Sequence, residues 1–292
     1  MSTANTSRRT SIVVDSAASL PAGLIGHRLL QIVPMRLTIA GTTYEDGRDL
    51  TTSEFYAMLS RTPGAATTSS PSPAAFLEAF ELAAVHSDSI FCIVVAAQFS
   101  ATADSARTAI GEFHQSHPDH EVIVMDSRSA AGGQGLIATE ALRQAEAGAT
   151  LASINEACER VRDRVRLLAF VDTLYYLWKG GRVPRIAHAG ASLLRLKPTF
   201  ELHQAQIATV ARPRTRRRAV NKLVQLMADR VGGSSVHAAV LHAASEDHAF
   251  ALHDRINREF DCTETYVTEF SPVMGAHIGP GMLGVAFWPD QP

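Results

Sequence analysis

The chain has 292 residues, of which 46% are hydrophobic and 19% charged, and its formal net charge is -2. This length accommodates two modest domains with a substantial core, and the composition is that of an ordinary globular protein. Because the chain is nearly neutral, we expect neither nucleic acid nor an anionic membrane as a partner.

The cysteines and the first residues of the chain indicate a reducing compartment. Cys92, Cys158 and Cys262 are far apart and form no CxxC pair, so neither a disulfide framework nor a structural zinc site is expected. No apolar run approaches the roughly 20 residues that span a bilayer, and the first residues lack the apolar core of a signal peptide. We expect residues 1–10 to be a disordered tail and the protein to be cytoplasmic, without stable membrane insertion.

Short apolar runs alternate with amphipathic patterns over the first half of the chain, which is typical of an α/β domain. The pattern predicts buried parallel strands over 11–16, 89–97 and 121–127, and helices over 73–86, 101–116 and 133–148. The glycine-rich stretch AGGQG (131–135) is expected to be exposed. Ligands of such sheets collect beyond the carboxyl ends of the strands.

The second half of the chain has the same α/β character. The pattern predicts strands over 166–172, 237–245 and 263–271, and helices over 173–181 and 247–260. The stretch 149–165 is the expected crossing between the halves, which divides the chain into an N-terminal domain, 11–157, and a C-terminal domain, 158–292. A cleft between two such domains is the expected ligand site.

A cluster of hydroxyl groups precedes the helix predicted from residue 73. Ser72 and Pro73 are a typical N-cap and first helical residue, and Thr67, Thr68, Ser69 and Ser70 come just before them. The positive end of a helix dipole favours an anion at such a place. The alternative interpretation is a polar loop whose only role is to cap the helix.

A second pair of hydroxyl groups follows the strand predicted over 89–97. Ser100 and Thr102 stand at the start of the next helix, where capping alone also explains them. Both hydroxyl-bearing helix starts are expected at the same edge of the sheet. Together they can hold one carboxylate or phosphate group.

Two basic stretches lie in the second half. Arg182 and Arg185 follow paired glycines in KGGRVPR (179–185), and RPRTRRR (212–218) contains five arginines. Each stretch is either a solvated surface or a docking site for an anionic ligand or partner. Nucleic-acid binding through 212–218 is disfavoured by the neutral chain and by the absence of interleaved aromatic residues.

The chain contains no GxSxG, GxxxxGK[ST], HExxH or strand-linked GxGxxG motif. Asp15 and Asp126 end predicted strands, where carboxylates bind metals or perform acid-base chemistry, although capping is their commoner use. The last histidine, His277, lies in a permissive glycine-rich turn, AHIGPGMLG (276–284). That histidine is either incidental to the turn or directed at a ligand.

Several segments, in order, resemble those of the DegV family. These are VVDSAASLP, the YEDG stretch (44–47), TTSSPSP, TLYYLWKGGR with the later KP, the RT of VARPRTRRRAV, and the closing AHIGPG. The resemblance covers nearly all of residues 11–288. It implies two α/β domains, the first with a mostly parallel sheet, and a lipid-binding cleft between them.

The resemblance also implies a function and a site. In this family the carboxylate of a long-chain fatty acid is held by residues that correspond here to Thr68, Ser100 and His277. Some relatives are the non-catalytic subunit of a fatty acid kinase and present the carboxylate to a separate ATP-binding protein. We therefore expect no catalytic residue, no metal and no cofactor apart from the bound fatty acid. Residues expected to support binding or docking are Ser69, Thr102, Arg182, Arg185 and Gly279.

The chain departs from the family pattern around the predicted head-group site. Ala96 and Ala97 replace frequent serines, Ala101 replaces a glycine, and HQAQ (203–206) replaces a DG turn. These changes keep the three expected contacts but remove neighbouring polar groups. The alternative hypothesis is an enzyme that acts on a small anionic metabolite at the same site, with Asp15 or Asp126 in acid-base work.

Overall fold

The computed structural model of the chain describes residues 9–62, 64, 66–181 and 196–291. Within these ranges the chain folds into two large β-sheets and one small one, with helices packed around them, which confirms the predicted α/β class and the mostly parallel sheet of the first half. The predicted tail overlaps the first strand, because the buried residue Thr10 begins β1. Arg182 and Arg185 lie outside the described residues.

The N-terminal half is built on a parallel four-stranded sheet in the order β2-β1-β6-β7. Its central strands β1 and β6 are buried along their whole length, as parallel strands usually are, whereas the edge strands β2 and β7 are only partly buried. A small antiparallel sheet in the order β4-β3-β5 flanks it. The strands of this half are β1 (Thr10–Asp15), β2 (Leu30–Val33), β3 (Arg36–Ile39), β4 (Thr42–Glu45), β5 (Thr67–Ser69), β6 (Ser89–Val94) and β7 (Glu121–Asp126).

The C-terminal half is built on a mixed six-stranded sheet in the order β10-β9-β8-β13-β11-β12. Strands β11 and β12 are parallel, and each of the other neighbouring pairs is antiparallel. The strands are β8 (Arg166–Phe170), β9 (Thr199–His203), β10 (Gln206–Ala211), β11 (Val236–His242), β12 (Cys262–Glu269) and β13 (Leu283–Pro289).

The described chain contains nine α-helices. They are α1 (Thr52–Arg61), α2 (Pro73–Ala84), α3 (Thr102–Ser116), α4 (Gly132–Glu146), α5 (Leu151–Arg164), α6 (Tyr175–Gly180), α7 (Arg216–Val231), α8 (Glu246–Glu259) and α9 (Pro272–Ile278). Within the described ranges, none of these helices combines the length and the hydropathy needed to cross a bilayer.

The buried side chains form three clusters that define the layers of the molecule. Helices α2 and α3 cover one face of the four-stranded sheet, and α7 and α8 cover one face of the six-stranded sheet. The largest cluster lies between the two sheets and includes side chains of both sheets, of α4 and of α5. Helix α5 contains the predicted boundary at 157/158, so this boundary falls inside the layer that the two sheets share.

The AGGQG stretch is buried rather than exposed, and this expectation was wrong. It begins α4, and residues 131–135 are all buried. A β-carbon added at Gly135 would lie 2.7 Å from the Ala18 carbonyl oxygen, and one added at Gly132 would lie 2.9 Å from the Leu241 side chain. The glycines therefore allow α4 to approach both halves closely, which is a packing role that the sequence pattern did not indicate.

Candidate functional site

A cavity of about 390 Å³ lies between the two halves, and we call it the central cavity. Its volume is within the usual range for small-molecule sites. The polar side chains of its lining belong to Thr68, Ser69, Ser70, Ser100 and His277. The remaining lining residues are apolar: Ala17, Met35, Val95, Phe99, Ala101, Ala130, Leu167, Ala169, Val171, Leu177, Phe200, Leu202, Ile207, Phe270, Val273, Met274 and Ile278.

Thr68 is placed by the small antiparallel sheet. It lies on β5, where it pairs with Leu37 of β3, and β5 leads into α2. Ser72 caps α2 as predicted, because its hydroxyl accepts a hydrogen bond from the amide of Ala75 at 3.3 Å. The predicted N-cap of α2 is therefore present. The neighbouring residues Thr68, Ser69 and Ser70 line the cavity.

His277 lies in the last turn of α9, and the interpretation of its surroundings as a glycine-rich turn was wrong at this residue. Its Nε2 atom lies 2.7 Å from Thr68 Oγ1, so the two side chains are hydrogen-bonded. Helix α9 is followed by its C-cap residue Gly279, whose φ of 75° and ψ of 171° are accessible essentially only to glycine. A β-carbon at Gly279 would lie 2.0 Å from the ring of Tyr176.

Ser100 and Thr102 do not cap α3 in the described structure. The N-cap residue is Ala101, which has no side-chain donor or acceptor, and Ser100 Oγ lies 2.7 Å from Thr102 Oγ1. Thr102 is fully buried, whereas Ser100 lines the central cavity. Capping therefore does not explain these two hydroxyl groups. The hydroxyl of Thr102 is instead hydrogen-bonded to that of Ser100.

Asp15 and Asp126 bind backbone amides at the ends of their strands. The carboxylate of Asp15 accepts hydrogen bonds from the amides of Ala17 at 3.0 Å and Val95 at 2.7 Å. Burial raises the pKa of Asp15 to about 6, although the hydrogen bond from Val95 lowers it. Asp126 accepts from the amides of Ala97 and Arg128. Neither carboxylate is part of the described cavity lining.

The RT segment forms the predicted helix start, and one of its arginines is not solvated. Thr215 caps α7, with its hydroxyl accepting from the Arg218 amide at 3.3 Å. Arg216 donates to the Gly281 carbonyl at 3.0 Å, contacts the carboxylate of Asp172, and lies over the ring of Phe170. This arginine therefore joins α7 to the glycine-rich segment that follows α9.

Sequence reasoning missed Asp46 as a structural partner of the site. Asp46 is buried and bonds both Ser16 and the amide of Val273 in α9. Gly275 of α9 packs against α1, since a β-carbon there would lie 2.6 Å from the hydroxyl of Tyr56. The YEDG stretch was the available signal for Asp46, but its contact with α9 joins segments that are 227 residues apart.

Comparison with known proteins assigns the chain to a family. The DegV family model, described as that of uncharacterised proteins, matches residues 9–290. A DegV domain-containing protein of Streptomyces coelicolor is 34% identical over 282 residues, which are 96% of this chain and 98% of that protein. The chain belongs to the DegV family, as the resemblance predicted.

Solved structures share the whole fold. A DegV family protein from Thermus thermophilus, whose structure is described for fatty acid binding, has a TM-score of 0.87 at 27% identity and covers 96% of this chain and 99% of its own. DegV of Bacillus subtilis, described as a fatty acid binding protein, has a TM-score of 0.84 at 25% identity and covers 97% of this chain and 100% of its own.

Proposed function

We propose that this protein binds a long-chain fatty acid in the central cavity, with the acyl tail between the two halves and the carboxylate at Thr68, Ser100 and His277. One observation carries the proposal. The cavity combines a predominantly apolar lining with four hydroxyl groups and one imidazole, and its described lining contains no Asp, Glu, Lys or Arg side chain. This is the distribution that a molecule with one polar end and a long hydrocarbon chain requires.

The apolar lining supplies affinity for the tail. Burial of a methylene group is worth ~0.8 kcal/mol, so about fourteen of them contribute on the order of 11 kcal/mol before the costs of association are subtracted. Side chains such as Phe200, Phe270 and Leu202 come from the six-stranded sheet and its connections, and Met35 and Val95 from the N-terminal half. An acyl tail that lies between the two halves is therefore removed from water.

The polar group fixes the orientation of the ligand. A carboxylate buried without partners costs several kcal/mol, which hydrogen-bond donors must offset. The pair of Thr68 and His277 offers a hydroxyl and an imidazole, and Ser100 offers a second hydroxyl held by Thr102. In this proposal Ser69 borders the head group, and Gly279 ends the helix that carries His277.

Two observations bear on the proposal from outside the cavity. Relatives with the same fold, from Thermus thermophilus and Bacillus subtilis, are described as fatty acid binding proteins. The competing enzyme hypothesis needs a carboxylate at the cavity, and neither Asp15 nor Asp126 belongs to its described lining. The Asp15 carboxylate is held by the amides of the lining residues Ala17 and Val95, and that of Asp126 by the amides of Ala97 and Arg128. We therefore propose no catalytic role for either aspartate.

The test is lipid extraction and mass spectrometry of the protein purified from a bacterial host, followed by calorimetric titration of the delipidated protein with palmitate. We expect a co-purifying acyl chain near one equivalent and saturable binding. Hexadecane and hexadecyl trimethylammonium are the controls for an unspecific apolar cavity. The proposal is contradicted if no fatty acid co-purifies and the delipidated protein does not bind added palmitate. It is also contradicted if palmitate, hexadecane and hexadecyl trimethylammonium bind equally.

We further propose that the bound acid is presented to a separate ATP-binding kinase, which forms an acyl phosphate. The resemblance to acyl-carrying subunits supports this step, and the exposed Arg214, Arg217 and Arg218 at the start of α7 offer a basic docking surface. Because ATP is the phosphate donor, we place the step in the cytoplasm.

The presentation step is tested by mixing the loaded protein, ATP and candidate kinases from the same genome. Trapping the product with hydroxylamine should give an acyl hydroxamate only when both proteins are present. The variant R214E/R217E should lose this product while it still binds palmitate. Product formation at an unchanged rate by this variant contradicts docking through α7.

A further inference from the structure

The helix that carries His277 is short and is not held by a cap of its own. Helix α9 has seven residues, begins with Pro272, and within the described structure its N-cap residue Ser271 makes no side-chain bond to a helix amide. The first amides of a helix have no partner within the helix, and so short a helix is marginal by itself. The position of α9 therefore depends on contacts with the rest of the molecule.

Asp46 supplies such a contact from the N-terminal half. Its Oδ1 accepts from the amide of Val273, the second residue of α9, at 3.4 Å, and its Oδ2 accepts from the Ser16 hydroxyl at 2.6 Å. A carboxylate at this end of a helix also interacts favourably with the helix dipole. Asp46 thus takes the place of the missing local cap.

Asp46 is itself held rigidly. Its side chain is buried, and its own amide donates to the Met35 carbonyl at 2.9 Å. The Ser16 hydroxyl that it binds accepts in turn from the Met35 amide at 3.0 Å. Three segments of the N-terminal half therefore determine where the Asp46 carboxylate lies, and Met35 also lines the central cavity.

The contact with Val273 is one helical turn from His277. Residues four apart lie on the same face of a helix, and Val273 and His277 both line the central cavity. A displacement of the first turn of α9 is therefore transmitted to the imidazole, whose bond to Thr68 measures 2.7 Å.

We propose that Asp46 is a positioning residue for the binding site, which holds α9 so that His277 faces the carboxylate of the ligand. The expected effect of Asp46 on ligand binding rests on the proposed function. The expected effect of Asp46 on the position of His277 does not. Asp46 does not line the described cavity, so it acts through α9 and not by contact with the ligand.

The test compares D46A, D46N and a matched control, E140A. Glu140 is also a buried carboxylate, but its hydrogen bonds are to Arg143 and Gln144 within α4. We expect D46A to weaken palmitate binding at least tenfold. D46N keeps an oxygen that accepts from the Val273 amide and should remain within about threefold of the unchanged protein, as should E140A.

The second readout is the imidazole resonances of His277 in the ligand-free protein, assigned among the twelve histidines with H277Q. We expect D46A to shift them and D46N and E140A to leave them in place. If D46A fails to fold, S16A, which removes the partner of Asp46 Oδ2, should give a smaller shift of the same resonances.

These readouts separate the two proposals. If the unchanged protein binds no palmitate, the proposed function fails, and the His277 resonances alone decide the role of Asp46. Unshifted His277 resonances in D46A, or palmitate binding by D46A within twofold of the unchanged protein, overturn the positioning role. An equal loss of binding in E140A also overturns it, because the effect would then follow from the loss of any buried carboxylate.

Discussion

Thr68 and His277 are 209 residues apart in the chain, and their Oγ1 and Nε2 atoms are 2.7 Å apart. Thr68 belongs to the small antiparallel sheet of the N-terminal half, and His277 to the short helix before the last strand. The hydrogen bond therefore joins the two halves at the wall of the central cavity. Both partners had been predicted as ligands of one anion, and the structure brings these two together.

The first prediction concerns this pair. His277→Ala should weaken palmitate binding by about 1.5–3 kcal/mol, or roughly 10- to 150-fold, because a hydrogen bond to a charged group is lost. Thr68→Val should also weaken binding, and titration calorimetry of both single variants and the double variant measures their coupling. We expect a coupling energy of about 0.5–3 kcal/mol. Additive effects, or unchanged binding, would show that the pair does not act on the ligand as a unit.

The second prediction concerns Gly279. Gly279→Ala should lower the free energy of unfolding by about 3 kcal/mol or more, because its backbone conformation is strained for alanine and the new β-carbon meets the ring of Tyr176. The control is Gly232→Ala, which also has positive φ but no atom within 4 Å of the added carbon. That control should cost only about 1–2 kcal/mol. Urea unfolding measures both, and equal losses would exclude the ring contact as the cause.

The third prediction concerns Arg216. Arg216→Lys should lower the free energy of unfolding by about 1–3 kcal/mol, since lysine cannot reproduce contacts with Asp172, Gly281, Ser245 and the ring of Phe170 at once. The adjacent, exposed Arg217 is the matched control, and Arg217→Lys should stay within about 0.5 kcal/mol of the unchanged protein. Similar midpoints of urea unfolding for the two variants would contradict the structural role of Arg216.

The fourth prediction concerns pH. The pKa of Asp15 is raised from 3.8 to about 6 by burial, so between these values the folded protein holds a proton that the unfolded chain has released. This group therefore makes the protein less stable as pH rises through that window, by on the order of 3 kcal/mol in total. Asp15→Asn removes the titration.

The measurement is urea unfolding of both proteins at intervals from pH 4 to 7.5. The difference in unfolding free energy between Asp15→Asn and the unchanged protein should move in favour of the variant as pH rises to about 6 and then stay constant. A difference that is independent of pH over the whole range would show that the folded state does not retain the Asp15 proton.

The elements that the sequence predicted well are those whose pattern is local. Strands β1, β6 and β7 are continuous apolar runs, and the helices between them have apolar residues at three- and four-residue spacing. Capping chemistry also identified the start of α2 at Ser72, because a cap depends on residues only three positions apart. Three strands of the four-stranded parallel sheet follow from such local signals, whereas the pattern did not predict β2.

The features that the sequence did not reveal depend on distant contacts. Helix α9 is too short for a periodic pattern, and its N-terminal partner, Asp46, is far away in the chain. In the β9–β10 turn, Gln204 and Ala205 have φ of 49° and 59°, although neither is glycine. The Ala205 amide donates to the Arg128 carbonyl at 2.7 Å, and the Gln204 side chain accepts from the Arg128 guanidinium. No local motif encodes a turn held in this way.

The central position of β13 in the six-stranded sheet means that this sheet can be completed only at the end of synthesis. Strand β13 lies between β8 and β11, so without it the sheet is two separate ribbons, β8–β9–β10 and β11–β12. The ribosome makes residues 283–289 after every other strand of that sheet, and His277 emerges immediately before them. The parallel sheet of the N-terminal half can form earlier, as the first part of a chain usually does. The imidazole and the strand that unites the ribbons are therefore synthesised together, so the hydrogen bond between Thr68 and His277 can form only when the second half is nearly complete.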